Sequence, residues 1–187
     1  MVFIIALVII LVIILALVGW VIGIQNNLVR LRNRSKEAWA NTEAQLQRRF
    51  DLIPNLVNTV KGYAKHESET LTAVMKARNA AQQAMSTHSV KDAAAADKAL
   101  SFAVNAVSEA YPELQANRNF MALQEELTTT ENQIAFARQA YNDCTMEYNN
   151  AVQMFPGSVL AGMLNFREGD MFEVESEAAA HAPTVQF

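Results

Sequence analysis

Residues 2–24, VFIIALVIILVIILALVGWVIGI, carry no ionisable side chain. As a helix this run rises about 34 Å, enough to cross a hydrocarbon core about 30 Å thick with some tilt. Any fold for this chain must therefore be built onto a segment that water rejects. A cleaved secretory signal would place basic residues ahead of a shorter apolar stretch and a small-residue cleavage site behind it. Here nothing basic precedes Val2, and Trp20 lies near the distal end, where an indole suits the membrane–water boundary. The reading is a retained transmembrane anchor over residues 1–27. Within it Gly19 and Gly23 form a G-x-x-x-G pair, which puts two hydrogen-only side chains on one helix face and admits a second helix closely. The alternative is coincidence, since glycine is common in such helices.

Beyond the anchor the chain has about one domain's length. The formal net charge of −4 is unevenly spread: Arg30, Arg32, Arg34 and Lys36 come after the apolar run, while Glu168, Asp170, Glu173, Glu175 and Glu177 cluster near the end. Cations beside a spanning segment are retained on the cytoplasmic side, which places the bulk of the chain there and Met1 outside. The same four cations suit anionic lipid headgroups, at about 1 kcal/mol each near the surface. Net acidity without a basic, aromatic-interleaved face argues against nucleic acid. The single cysteine, Cys144, excludes an internal disulfide and a C-x-x-C pair.

Apolar or small positions then step by threes and fours through Leu28, Leu31, Ser35, Trp39, Thr42, Leu46, Phe50, Ile53, Val57, Val60, Ala64, Leu71 and Val74, a helical stripe with near-heptad spacing. No turn signal separates it from the anchor, so one helix is expected to run out of the bilayer. Pro54 lacks an amide donor and predicts a kink or a restart near Asp51, whose carboxylate would cap the new start. Ser89-Val-Lys-Asp92 reads as a capping box opening another helix, which ends or bends at Tyr111-Pro112. A third stripe runs from about Arg118 through Phe120, Leu127, Ile134, Tyr141, Cys144, Tyr148 and Val152 to Phe155-Pro156-Gly157, where proline and glycine stop it. No period-two alternation occurs. The fold class is all-α: one transmembrane helix, then an antiparallel bundle of three to four long helices over 28–157. Residues 158–187 read as a short helix and a loosely ordered acidic tail.

Chemistry is harder to find. His66-Glu67 begins an H-E-x-x-H, but Thr70 stands where the second histidine should. His88 and His181 fall in a loop and the tail, and no nucleophile elbow or Gly-rich loop occurs. The reading is of a chain that is not an enzyme and needs no cofactor or metal. Arg48 and Arg49, with Asp51, Pro54 and Asn55 nearby, concentrate polarity on about two turns of helix: either they anchor the bend by buried hydrogen bonds, or they form a docking surface.

Several stretches resemble the LemA family of bacterial membrane proteins: NNLVRLRN over 26–33, Ala38-Trp39, QLQRRFDLIPNLV over 45–57 and KGYAKHE over 61–67. The second half agrees at Tyr111-Pro112, Asn119-Phe120, Leu123-Gln124, Thr130-Glu131, Ile134-Ala135, Ala137-Arg138, Tyr141-Asn142, Tyr148-Asn149, Phe155-Pro156 and Phe172-Glu173. The resemblance implies a membrane helix followed by an antiparallel bundle in the bacterial inner membrane, and no established activity. Genes for membrane metalloproteases or other envelope proteins often lie beside those of its members. Relatives with a lipoprotein cysteine in place of the spanning segment would hold their domains outside the cytoplasm, the opposite of the orientation expected here. Two readings of function stand side by side. One is a non-enzymatic, self-associating scaffold that organises membrane or envelope proteins, a homo-oligomer in the lipid bilayer. The other is a monomeric adaptor docking on a membrane protease or transporter.

Overall fold

The computed structural model describes residues 1–62, 69–87 and 89–172. Helix α1, Val2–Lys61, is sixty residues long and uninterrupted, about 90 Å by the usual rise. Its first part is long and apolar enough to cross a membrane and takes no part in the folded core. From Leu28 onward the same helix becomes a bundle member, burying Leu28, Ser35, Thr42, Leu46, Phe50, Ile53, Val57 and Val60. All eight belong to the predicted stripe, of which Leu31 and Trp39 are half-buried and Ala64 lies outside the described residues; Arg49, Leu52 and Leu56 are buried beside it. Helices α2 (Glu69–Ser86), α3 (Val90–Ala110), α4 (Arg118–Gln153) and α5 (Gly157–Met163) complete the order, with a 3-10 turn at Pro112–Ala116 between α3 and α4. Among the described residues there is no strand.

Helix α4 runs antiparallel along α1 with its register fixed by like-to-like contacts. Ser35 Oγ and Thr145 Oγ1 share a buried hydrogen bond of 2.7 Å, the Trp39 and Tyr141 rings meet edge to face at 5.4 Å, and Leu28 clusters with Tyr148 and Val152. Helices α2 and α3 pair with each other and close the bundle over the half of α1 and α4 far from the apolar run, around Phe50, Ile53, Val74, Leu100, Val107 and Phe120.

Two local expectations hold and two change. Ser89 caps α3, its side chain accepting from the Asp92 amide at 3.2 Å, and Tyr111-Pro112 ends that helix. The restart at Asp51 does not occur. The Asp51 carboxylate instead accepts from Gln47 Nε2 at 2.8 Å, and α1 continues through Pro54. Proline at 54 deprives the Phe50 carbonyl of its helical donor, and Arg78 Nε, reaching across from α2, donates to that oxygen at 3.3 Å. The break falls later: α1 ends at Lys61, with Gly62 beyond it, and α2 folds back so that Arg78 lies beside Phe50. The stripe through Leu71 and Val74 hides this turn, because both helices keep the same spacing and bury those residues in one core. Among the described residues the bundle therefore has four long helices.

The acidic segment also differs from expectation as far as Phe172. Asn165, at φ 57°, turns the chain after α5, a left-handed position that asparagine tolerates. Residues 166–172 then run back along α4, antiparallel to it, as an extended strap. His66, His88, His181 and the remainder of the predicted tail lie outside the described residues.

Candidate functional site

The polar cluster expected around Pro54 is divided by the helix it sits on. Adjacent helical residues point about 100° apart, and Arg48 and Arg49 go separate ways. Arg48 stays at the surface, 3.4 Å from Glu126. Arg49 is 2% exposed and enters the bundle, where Nη1 donates to Asp97 Oδ1 at 3.0 Å and Nη2 to Ser101 Oγ at 2.9 Å. Asp97, on α3 and 4% exposed, also accepts from Arg138 Nη2 of α4 at 2.7 Å. One carboxylate thus ties three helices together, with Glu131 3.8 Å from Arg49 at the rim. Asp51 and Asn55 are exposed and Pro54 half-buried. The structure brings together only Arg49 of the predicted set, with Asp97, Ser101 and Arg138 as partners. A signal for this exists in the sequence: Arg49 and Asp97 each occupy an apolar stripe position, and a charge on a stripe needs an opposite charge on another.

The buried network extends toward the strap. The Arg138 guanidinium lies 5.0 Å from the Phe172 ring centre, and Phe172 packs against Trp39 and Tyr141 at 5.8 and 5.5 Å. Two Tyr-Asn pairs one heptad apart on α4 hold the strap's backbone. Asn149 accepts from the Gly169 amide at 2.8 Å and donates to its carbonyl at 2.9 Å. Asn142 does the same for Phe172, at 2.9 and 3.0 Å. Tyr148 Oη donates to the Arg167 carbonyl and Tyr141 Oη to that of Asp170, both at 2.7 Å. A Cβ at Gly169 would lie 3.0 Å from Thr145 Cγ2, so a larger residue there has to displace that methyl group. Burial raises the pKa of both tyrosines above the usual phenol value, Asp170 adding to the rise at Tyr141 and Arg32 opposing it at Tyr148. These groups fix the position of the strap's backbone.

At the end of the apolar run, Trp20 is half-exposed and lines an open cleft with Gly23, Ile24 and Asn27 of α1 and Met154, Phe155, Pro156 and Gly157 beyond α4. A Cβ at Gly19 or Gly23 would meet nothing within 4 Å. Of the four cations, Arg34 pairs with Glu147 at 2.9 Å, Arg32 lies 4.9 Å from the Phe166 ring centre, and Arg30 donates to Asn27 at 2.7 Å. Lys36 is exposed. Cys144 is half-buried; its neighbour Thr145 takes the buried position. Among the described residues, no group of three or more His, Cys, Asp or Glu side chains is placed to hold a metal ion.

These features sit within a recognisable sequence frame. A curated relative named Protein LemA, from Metamycoplasma hominis, is 23% identical over 153 residues, 81% of this chain and 70% of its own length. The family model described as LemA family matches residues 38–187, which takes in the Trp39 and Arg49 contacts, both Tyr-Asn pairs and the strap. The chain belongs to the LemA family.

Proposed function

We propose that the chain is a non-enzymatic, membrane-anchored scaffold of the bacterial inner membrane, which self-associates through its spanning helix and presents its bundle to other membrane or envelope proteins. The observation that supports it most is mechanical: the spanning segment and the bundle's first helix are one uninterrupted α1, so anything that fixes the anchor also fixes the bundle's orientation. Gly19 and Gly23 leave an open face on that helix, the condition for close helix pairing in lipid. The basic residues after the anchor favour the cytoplasmic side for the bundle.

The test is the mass of the full chain extracted in mild detergent, measured by light scattering, beside a Gly19→Leu/Gly23→Leu variant. An assembly that the double substitution dissociates supports the reading; a monomer in both cases refutes self-association. The adaptor reading keeps a narrower surface, because Arg49 is consumed by the fold and only Arg48, Asp51 and Asn55 remain exposed. Charge reversal at Arg48 should then abolish crosslinking to one dominant membrane protease or transporter while the bundle stays folded. Unchanged crosslinking refutes docking there.

A further inference from the structure

The stretch 154–166, MFPGSVLAGMLNF, contains no ionisable residue, although it lies in the folded half of the chain. Helix α5 within it buries Gly157 and Ala161 against α1 and α4. Several apolar side chains of the stretch turn outward: Met154 is 66%, Phe155 80% and Met163 77% exposed, with Val159 and Leu164 also uncovered. This patch has a defined height. The register that pairs Ser35 with Thr145 and Trp39 with Tyr141, carried to the end of α4 at Gln153, reaches Asn27, just past Gln25, the first polar residue after the apolar run. The shared cleft with Trp20, Gly23 and Ile24 agrees. The patch therefore lies where α1 leaves the hydrocarbon, and lipid is the neighbour that position supplies. Phe155 and Trp20 stand together at the level where aromatic side chains collect at membranes, and Arg30 and Arg167 lie on the polar side in each segment.

We propose that Met154, Phe155 and the outward face of α5 form a second membrane contact, a short apolar foot lying in the headgroup–acyl boundary beside the spanning helix. The occupant of the patch is the lipid bilayer. Two points of attachment, one spanning and one interfacial, then hold the bundle at a fixed tilt and rotation. This holds whether or not the chain self-associates.

Nitroxide labels test it on the full chain, with Cys144→Ser, reconstituted in phosphatidylcholine vesicles with and without phosphatidylglycerol. Labels go on Phe155→Cys and Met163→Cys, with Phe102→Cys and Phe136→Cys as references. Both reference positions are strongly exposed. Phe136 lies roughly 30 Å further along the bundle than Gln25 by the same register, and Phe102 adjoins Ser101, the partner of Arg49. Labels at 155 and 163 should be relaxed by oxygen, which concentrates in hydrocarbon, with accessibility to a water-soluble nickel chelate several-fold below that of 102 and 136. Equal chelate accessibility at all four positions overturns the proposal. So does shielding from both reagents; spin–spin broadening that vanishes on dilution with unlabelled chain would then name a second copy as the occupant.

Discussion

Asp97 is the side chain on which most of the bundle's internal electrostatics converge, and its removal gives the sharpest test of the packing. In Asp97→Ala, Arg49 loses its 3.0 Å partner while remaining in a site where it is 2% exposed, and Arg138 loses its 2.7 Å contact. Ser101 and the more distant Glu131 cannot neutralise a guanidinium desolvated to that degree. Deleting one member of a buried pair costs about 3–5 kcal/mol because the other is left charged and dry. At about 3 °C per kcal/mol for a chain of this size, the midpoint should fall by about 10–15 °C. Replacing the whole set, as Arg49→Met/Asp97→Leu/Arg138→Met, should recover most of that loss, since an apolar substitute of similar volume removes the uncompensated charge. Glu126→Ala breaks only the exposed 3.4 Å pair with Arg48 and should cost less than about 1 kcal/mol. The assay is urea and thermal unfolding of the full chain in detergent, monitored by circular dichroism. If Asp97→Ala and Glu126→Ala lower stability equally, the buried network is not what binds the helices.

Three further outcomes rest on named contacts. Arg78→Leu should cost about 1–3 kcal/mol by stranding the Phe50 carbonyl, and much less in a Pro54→Ala background, where the residue 54 amide can serve that oxygen; a double-mutant cycle by urea unfolding measures the coupling. Asn142→Ala and Asn149→Ala should each release part of the strap, raising hydrogen exchange at the Phe172 and Gly169 amides they hold and leaving α1 amides protected. Because burial raises Tyr141 and Tyr148, the folded chain holds these protons longer than the unfolded one. Their stabilisation is then complete below about pH 10 and lost as pH climbs through the folded values; Tyr141→Phe and Tyr148→Phe should each delete a late step in the tyrosinate absorbance titration and flatten the alkaline loss of stability.

Much of this architecture is written in spacing. The step from Leu28 to Val60 and from Phe120 to Val152 names the inner faces of α1 and α4 almost residue by residue, because a helix that must bury one stripe has no other way to show it. The reversal after Lys61 escapes for the same reason. Leu71 and Val74 continue the count of threes and fours, and only Gly62 and the polar run after it mark a turn. Pro54 misleads in the opposite direction. A proline predicts a break when the helix is considered alone, yet the missing donor is supplied from Arg78, whose proximity depends on the hairpin itself. Arg48 and Arg49 are visible as a pair but not as opposites, since their different fates depend on which of them faces Asp97.

The strap is the feature least available to periodicity, and the physical match behind it is simple. Tyr141-Asn142 and Tyr148-Asn149 recur after seven helical residues, about 10.5 Å of rise; the backbone groups they hold recur from Arg167 and Gly169 to Asp170 and Phe172, three extended residues, about 10 Å. A heptad on one chain segment thus measures a tripeptide on the other, and each asparagine amide serves one residue's N–H and C=O as a neighbouring strand would. This recognition reads mainly backbone, with side-chain contacts at Gly169, where a Cβ would crowd Thr145, at Phe166, whose ring lies by Arg32, and at Phe172, whose ring fills the place between Trp39 and Tyr141. The carboxylate side chains of Glu168 and Asp170, both exposed residues, make none of these hydrogen bonds, so the charge that made the segment look like a solvated tail is the part of it that the contact does not use.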